Sequence, residues 1–103
     1  MVTYLATALF WHFVSAGTMP ANATDVAYGE YLSSECATCH RRDGTNAGIP
    51  SIIGRPAEEF IAALKSYKEK TRPNPIMQTI TSRLTDEDMA ALAAYYATLK
   101  PAP

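Results

Sequence analysis

The segment Cys36-Ala37-Thr38-Cys39-His40 determines how the rest of the sequence is interpreted. It has the form C-x-x-C-H, in which two thiols lie one helical turn apart and a histidine follows directly. Thiols at this spacing can add to the two vinyl groups along one edge of a porphyrin, and the histidine Nε2 can then bind the iron. The motif is the attachment sequence of c-type haem. We therefore expect one covalent haem c on Cys36 and Cys39, with His40 as an axial ligand of the iron.

Two other kinds of cysteine site match this sequence poorly. A thioredoxin-like redox pair is expected beside a βαβ pattern, and the sequence has no alternating strand pattern. A structural zinc site needs about four protein ligands. Beyond residue 23, however, the only cysteines and histidine are Cys36, Cys39 and His40. Haem attachment is therefore the favoured interpretation.

Met77 is the candidate for the second axial ligand. A six-coordinate haem electron carrier often uses a methionine sulfur there, which raises the reduction potential, and beyond residue 23 the chain has only Met77 and Met89. Met89 falls four residues after the expected N-cap Thr85, where it can pack on Leu84 as a hydrophobic staple. The two prolines of segment 72–77 lower the entropy cost of holding the Met77 thioether. The alternative is that Met77 only fills a gap in the core.

Four further residues are candidates for the haem surroundings. A ligating histidine normally donates its other ring N–H to a carbonyl or carboxylate, and we expect the acceptor to be the carbonyl of Pro50; alternatively, Pro50 only shapes its turn. Buried haem propionates need hydrogen-bond donors or water. The candidate donors are Arg55, Tyr67 and Arg72, with Tyr67 equally well explained as a core residue.

The hydrophobic periodicity predicts an all-α domain with three helices, over residues 25–35, 56–70 and 86–99. Two long loops, 41–55 and 71–83, contain the glycines and prolines between them. Long loops of this kind are more usual where a chain wraps a ligand. The candidate end signals are Thr24 as an N-cap, Pro56 in a first turn, and Thr85 with Asp88 as a capping box.

Composition excludes several functional classes. A chain of 103 residues with 48% hydrophobic and 18% charged residues is one globular domain rather than a disordered tail. A formal net charge of -1 gives no field for binding nucleic acid. Two cysteines are too few for a disulfide-dense scaffold. A domain this small usually needs a disulfide, a metal or a bound group for stability, and a haem would supply it.

Residues 1–23 have the pattern of a removable secretory signal peptide. The mostly apolar run 4–14 is followed by Ala21-Asn22-Ala23, although no lysine or arginine precedes the run. The alternative is an uncleaved membrane anchor, but the run is short for a span of about 20 residues. We expect cleavage after Ala23, a periplasmic domain of residues 24–103, and no stable membrane insertion after cleavage.

These features together resemble the class I c-type cytochromes over nearly all of residues 25–103. Gly29 and the bulky residues after it, ahead of Cys36, look like the family's helix contact, with the aromatic pair Tyr95-Tyr96 as its counterpart. The resemblance implies a small fold in which the N- and C-terminal helices cross over a covalently bound haem.

A more detailed similarity is to the cytochrome subunit of flavocytochrome c sulfide dehydrogenase, and it implies a specific partner. A flavin-containing subunit would oxidise sulfide and pass electrons to this chain, a monohaem version with no catalytic residue of its own. Arg41 and Arg42 depart from the pattern, which more often has a glycine there. The similar segments are residues 49–54, 72–77 and 84–88 and the helix through Phe60, Leu64 and Tyr67.

Two alternatives to a sulfide dehydrogenase subunit remain. One is a free-standing class I cytochrome c that meets other redox proteins in a respiratory or photosynthetic chain. The other is a small ligand-binding or peroxidatic haem protein, which requires an open sixth position on the iron. A group of cations precedes the Met77 segment in the sequence, namely Lys65, Lys68, Lys70 and Arg72. These cations would either form a docking edge for an acidic partner or only complement the dipole of a helix C-terminus.

Overall fold

The computed structural model describes residues 23–101 together with Thr3. The predicted signal peptide, residues 1–23, lies outside the described residues apart from Thr3 and Ala23, and its removal stays a prediction. Within the described part, helices and no strands are present, which confirms the all-α prediction. None of these helices is long and apolar enough to span a bilayer. They are α1 (Ala23–Leu32), α2 (Ser34–Ala37), α3 (Ala57–Lys68), α4 (Pro75–Thr81) and α5 (Asp86–Thr98).

The N- and C-terminal helices α1 and α5 cross at Gly29, as predicted. A Cβ atom at residue 29 would lie 2.0 Å from the carbonyl oxygen of Ala91 and 2.8 Å from the Cβ of Tyr95. Only glycine therefore allows the two backbones to approach this closely. The Tyr28 hydroxyl also joins the helices by donating to Asp88 Oδ1 at 2.6 Å. The crossing fixes the position of the cysteine segment, which follows α1 directly.

The hydrophobic core lies between α3 and α5. The Phe60 and Tyr96 rings stack with centroids 5.4 Å apart, and the Tyr95 ring meets that of Tyr96 edge-on at 5.2 Å. Met89 is fully buried in this cluster, and the partly buried Leu84 packs against the cluster from outside. Met89 therefore occupies a core position, as the staple interpretation expects.

Helix α5 begins where its capping box predicts. The Thr85 Oγ1 accepts from the Asp88 N–H at 3.1 Å, and Asp88 Oδ2 accepts from the Thr85 N–H at 2.9 Å. Hydrogen bonds from Thr85 and Tyr28 hold the pKa of the Asp88 carboxyl below its usual range. The predicted helix start at residue 86 is confirmed, and the helix ends at Thr98, one residue before the predicted end.

The first predicted helix is interrupted in the structure. Helix α1 ends at Leu32, and Ser33 separates it from α2. The Ser33 hydroxyl donates to the Glu30 carbonyl at 2.6 Å, and such local side-chain bonds compete with regular helix bonding. In the described residues the helix already includes Ala23 and Thr24, so Thr24 lies within the helix and the prediction of Thr24 as its N-cap was wrong.

The predicted loop 71–83 contains helix α4. Asn74 is its N-cap, with its side chain accepting from the Met77 N–H at 3.1 Å, and Pro75 occupies the first helical position. This combination starts helices because the asparagine satisfies a free N–H and the proline needs none. Before this loop, α3 ends at Lys68 rather than residue 70. Lys70 takes a left-handed φ of 62° and cannot continue the helix.

Candidate haem site

The cysteine segment forms a tight helical turn. The His40 N–H donates to the Cys36 carbonyl at 2.8 Å, and the Cys39 N–H donates to the same oxygen at 3.2 Å. The Cys36 side chain is half-buried against the core, and Cys39 is exposed. Burial raises the pKa of the Cys36 thiol. The turn places two thiols and an imidazole close together, which is the donor set that covalent haem attachment requires.

The imidazole of His40 is held by the loop that follows it. Its Nδ1 lies 2.7 Å from the carbonyl oxygen of Pro50, so the hydrogen bond expected from the sequence is present. A carbonyl oxygen only accepts, so Nδ1 carries the proton and Nε2 keeps its lone pair. A histidine in this tautomer presents Nε2 as a metal ligand. The residues present therefore fit a haem iron bound at His40 Nε2.

Met77 is presented by helix α4 rather than by a loop. It is the third residue of that helix, and its N–H is held by the Asn74 side chain. Its side chain is half-buried and packs against the core cluster. Beside it, Ile76 is an exposed large apolar residue, as is Ile49 next to Pro50. Apolar side chains exposed beside both candidate axial segments suit a site that borders a flat apolar ring.

The structure brings two of the three candidate propionate donors together. The Arg72 guanidinium lies over the Tyr67 ring, 4.7 Å from its centroid. Arg55 turns back onto its own loop, and its Nε and Nη2 donate to the Ser51 carbonyl at 3.3 and 3.2 Å. The roles of Arg55, Tyr67 and Arg72 toward propionates stay predictions.

The basic end of α3 is partly engaged by the protein itself. Lys68 donates to the Leu84 carbonyl, and Lys65 Nζ lies 4.0 Å from Asp86 Oδ1. Lys65, Lys68, Glu69 and Asp86 line one surface concavity. Charges of both signs therefore meet there, which favours the helix-end interpretation over a purely cationic docking edge.

Three residues around Cys36 were not identified from the sequence. Arg42 Nη2 donates to the hydroxyl of Ser33 at 2.8 Å, and Ser33 is 0% exposed. The Tyr96 hydroxyl is buried and has no hydrogen-bond partner among the described residues. The sequence singled out the Arg41-Arg42 pair and the aromatic pair Tyr95-Tyr96, but it connected neither pair with Cys36. The other contacts depend on how α1 and α5 pack.

Comparison with known proteins identifies the family of this chain. The family model for cytochrome c matches residues 26–100. Cytochrome c-553 of Desulfomicrobium norvegicum is 40% identical over 73 residues, covering 67% of this chain and 91% of the relative. The cytochrome subunit of sulfide dehydrogenase of Chlorobaculum tepidum is 36% identical over 72 residues, covering 69% of this chain and 66% of the relative. A thiosulfate dehydrogenase electron acceptor of Stutzerimonas stutzeri is 41% identical over 71 residues, but the match spans only 32% of that protein.

The matched region includes every helix except the first three residues of α1. It contains a single C-x-x-C-H segment and the chain's only two cysteines. The chain belongs to the cytochrome c family and is a monohaem c-type cytochrome, an electron carrier with one covalently bound haem c.

Proposed function

We propose that this cytochrome is exported to the periplasm and accepts single electrons from a flavin-containing sulfide dehydrogenase subunit. We further propose that its haem is attached at Cys36 and Cys39 and bound axially by His40 and Met77. The observation that carries the assignment of His40 is the 2.7 Å contact from His40 Nδ1 to the Pro50 carbonyl oxygen. When bound, the haem supplies an iron that gains and loses one electron at a time.

The chain's own residues position and tune the iron. The Pro50 carbonyl fixes the tautomer and orientation of His40, and a hydrogen bond at Nδ1 makes Nε2 a better donor. The Asn74 cap and Pro75 start α4, so the Met77 backbone is fixed before its sulfur binds. A methionine ligand favours the reduced state and raises the reduction potential. Cys36 packs against the buried aromatic core of Phe60, Tyr95 and Tyr96, which excludes water from that side of the cysteine.

Two observations support the sulfide dehydrogenase partner. The sequence resembles the cytochrome subunit of flavocytochrome c in several segments outside the haem motif. A relative at 36% identity bears the name of that subunit. The second candidate function is a free-standing carrier, and it is favoured by the 91% coverage of the small cytochrome c-553. The named thiosulfate dehydrogenase electron acceptor supports dehydrogenase partners in general.

Purification of the native protein at low ionic strength would distinguish the two functions. A subunit elutes from a size-exclusion column together with flavin absorbance, and sulfide reduces its haem at once. A free carrier elutes alone at the size of a monomer, and sulfide reduces it slowly until a dehydrogenase is added. Elution as a flavin-free monomer that sulfide plus a flavocytochrome flavoprotein fails to reduce would contradict the proposed partner.

The mass of the same native material tests the proposed export. Cleavage after Ala23 predicts a polypeptide that begins at Thr24 and carries the added mass of one haem. A haem-bearing chain that retains residues 1–23 would contradict cleavage while leaving the electron-transfer proposal intact.

A further inference from the structure

A small polar cluster lies beside the haem-attachment residue Cys36 and consists of the Ser33 hydroxyl, the Arg42 guanidinium and the Glu30 carbonyl. The Ser33 hydroxyl donates to the Glu30 carbonyl at 2.6 Å and accepts from Arg42 Nη2 at 2.8 Å. Ser33 is fully buried, so its position is fixed by packing. The guanidinium of Arg42 is consequently held against the junction of α1 and α2 instead of extending freely into water.

This anchor brings the guanidinium close to Cys36. Ser33 has helical backbone angles, φ -67° and ψ -11°, and the Ala37 N–H donates to its carbonyl at 2.8 Å. Residues three apart on a continuous helical turn are neighbours, with Cβ atoms about 5–6 Å apart. A guanidinium bound to the Ser33 hydroxyl therefore lies beside the Cys36 side chain.

The charge of Arg42 acts on the buried groups of this region. Burial raises the pKa of the Tyr96 hydroxyl, and the Arg42 cation acts in the opposite direction on that group. The acidic group of the same helix is Glu35, but its carboxylate lies 3.4 Å from Arg83 Nη2 and is exposed. Glu35 and Arg42 act in opposite directions at Cys36, so removal of the Arg42 charge alone shifts the local balance of charge toward the negative side.

We propose that Arg42, held by Ser33, is an electrostatic positioning residue that favours the reduced state of the haem. Addition of one electron lowers the positive charge at the iron by one, so a fixed cation nearby stabilises the reduced form relative to the oxidised form. A guanidinium keeps its charge throughout the physiological pH range.

The proposal rests on haem attachment at Cys36 and can fail separately from it. Reversible spectroelectrochemical titration of the holoprotein gives the reduction potential of each variant. Arg42→Gln removes the charge but keeps a donor for Ser33. We expect it to lower the equilibrium constant for reduction about threefold, which is about 28 mV for one electron. Arg42→Lys retains the charge and is expected to keep most of the wild-type potential.

The neighbouring Arg41→Gln variant is the matched control, because it removes the same net charge one residue away. No hydrogen bond of the Arg41 side chain is found in the described part of the chain. Arg41→Gln is expected to change the potential by less than half as much, because no side-chain hydrogen bond holds its guanidinium beside Cys36. Ser33→Ala keeps the Arg42 charge but removes the hydroxyl that holds the guanidinium. We expect the reduction potential of this variant to shift in the same direction as that of Arg42→Gln, by a smaller amount.

Two results would overturn the proposal. One is an unchanged potential in Arg42→Gln while the haem remains covalently bound. The other is an equal shift of the potential in Arg41→Gln and Arg42→Gln, which would show that the potential depends only on the net charge of the protein. Failure of haem attachment itself is a distinct outcome, because the pigment would then leave the denatured polypeptide in acidified organic solvent.

Discussion

Replacing Gly29 with alanine tests the helix crossing on which the position of the haem-attachment turn depends. The added Cβ would lie 2.0 Å from the carbonyl oxygen and 2.6 Å from the carbonyl carbon of Ala91, and 2.8 Å from the Cβ of Tyr95. Non-bonded heavy atoms prefer separations of about 3.5 Å or more. Helices α1 and α5 would therefore have to move apart by roughly 1 Å or more.

The expected cost follows from two opposing effects. In an exposed helix, alanine is more favourable than glycine by about 1 kcal/mol. Overpacking of a close contact costs about 1–3 kcal/mol and occasionally more. Because the clash is with backbone atoms, a rotamer change cannot relieve it, and we expect the clash to exceed the helix-propensity gain. With a clash at the upper end of that range, about 3 kcal/mol, and a propensity gain of about 1 kcal/mol, the predicted net loss of unfolding free energy is about 2 kcal/mol. This is a large share of the roughly 5–15 kcal/mol of a typical domain.

Denaturant unfolding of the holoprotein, followed by far-ultraviolet circular dichroism, measures this loss. A thermal scan should show a decrease in Tm of about 8–16 °C for a domain of this size. Ala27→Gly, on an exposed position of α1, calibrates the propensity effect alone. Ala91→Gly should not rescue Gly29→Ala, since the clashing oxygen and carbon belong to the backbone. A Gly29→Ala variant as stable as the wild type would refute the tight crossing.

Two further variants test local features of the fold. Lys70→Gly should stabilise the domain by about 0.5–1 kcal/mol, because glycine adopts the left-handed φ of 62° without strain; a lower denaturation midpoint would count against this. The pKa of Asp88 is lowered in the folded state, so its contribution is present above its unfolded pKa and is lost as pH falls through the folded pKa. Asp88→Asn should therefore flatten the acid limb of the stability profile, and an unchanged limb would argue against the capping box and the Tyr28 bond as its source.

The parts of the fold that the sequence predicted best depend on local signals. The start of α5 follows from Thr85 and Asp88, which bond to each other across one helical turn. The hydrogen bond from His40 to Pro50 was likewise expected, because a ligating histidine needs an acceptor and segment 48–50 is well placed in the sequence to supply a main-chain oxygen. The crossing at Gly29 followed from the family resemblance.

The parts that were missed depend on context that the sequence pattern leaves ambiguous. Asn74-Pro75 is a good helix start, but two prolines within three residues also suit a loop, and α4 is only one short helix. The break at Ser33 depends on a hydroxyl bond to Glu30 in competition with the helix. The Arg42 contact with Ser33 joins side chains nine residues apart, and it requires the fold of the cysteine turn to be known first.

The most direct test of the proposed iron site is the methionine–iron charge-transfer band of the oxidised holoprotein. We predict that the wild type shows this band and a low-spin spectrum. Met77→Ala should lose the band and have a lower reduction potential, whereas Met89→Leu should keep both because Met89 is a core residue. A band that persists in Met77→Ala and disappears in Met89→Leu would contradict the assignment of Met77 as the axial ligand.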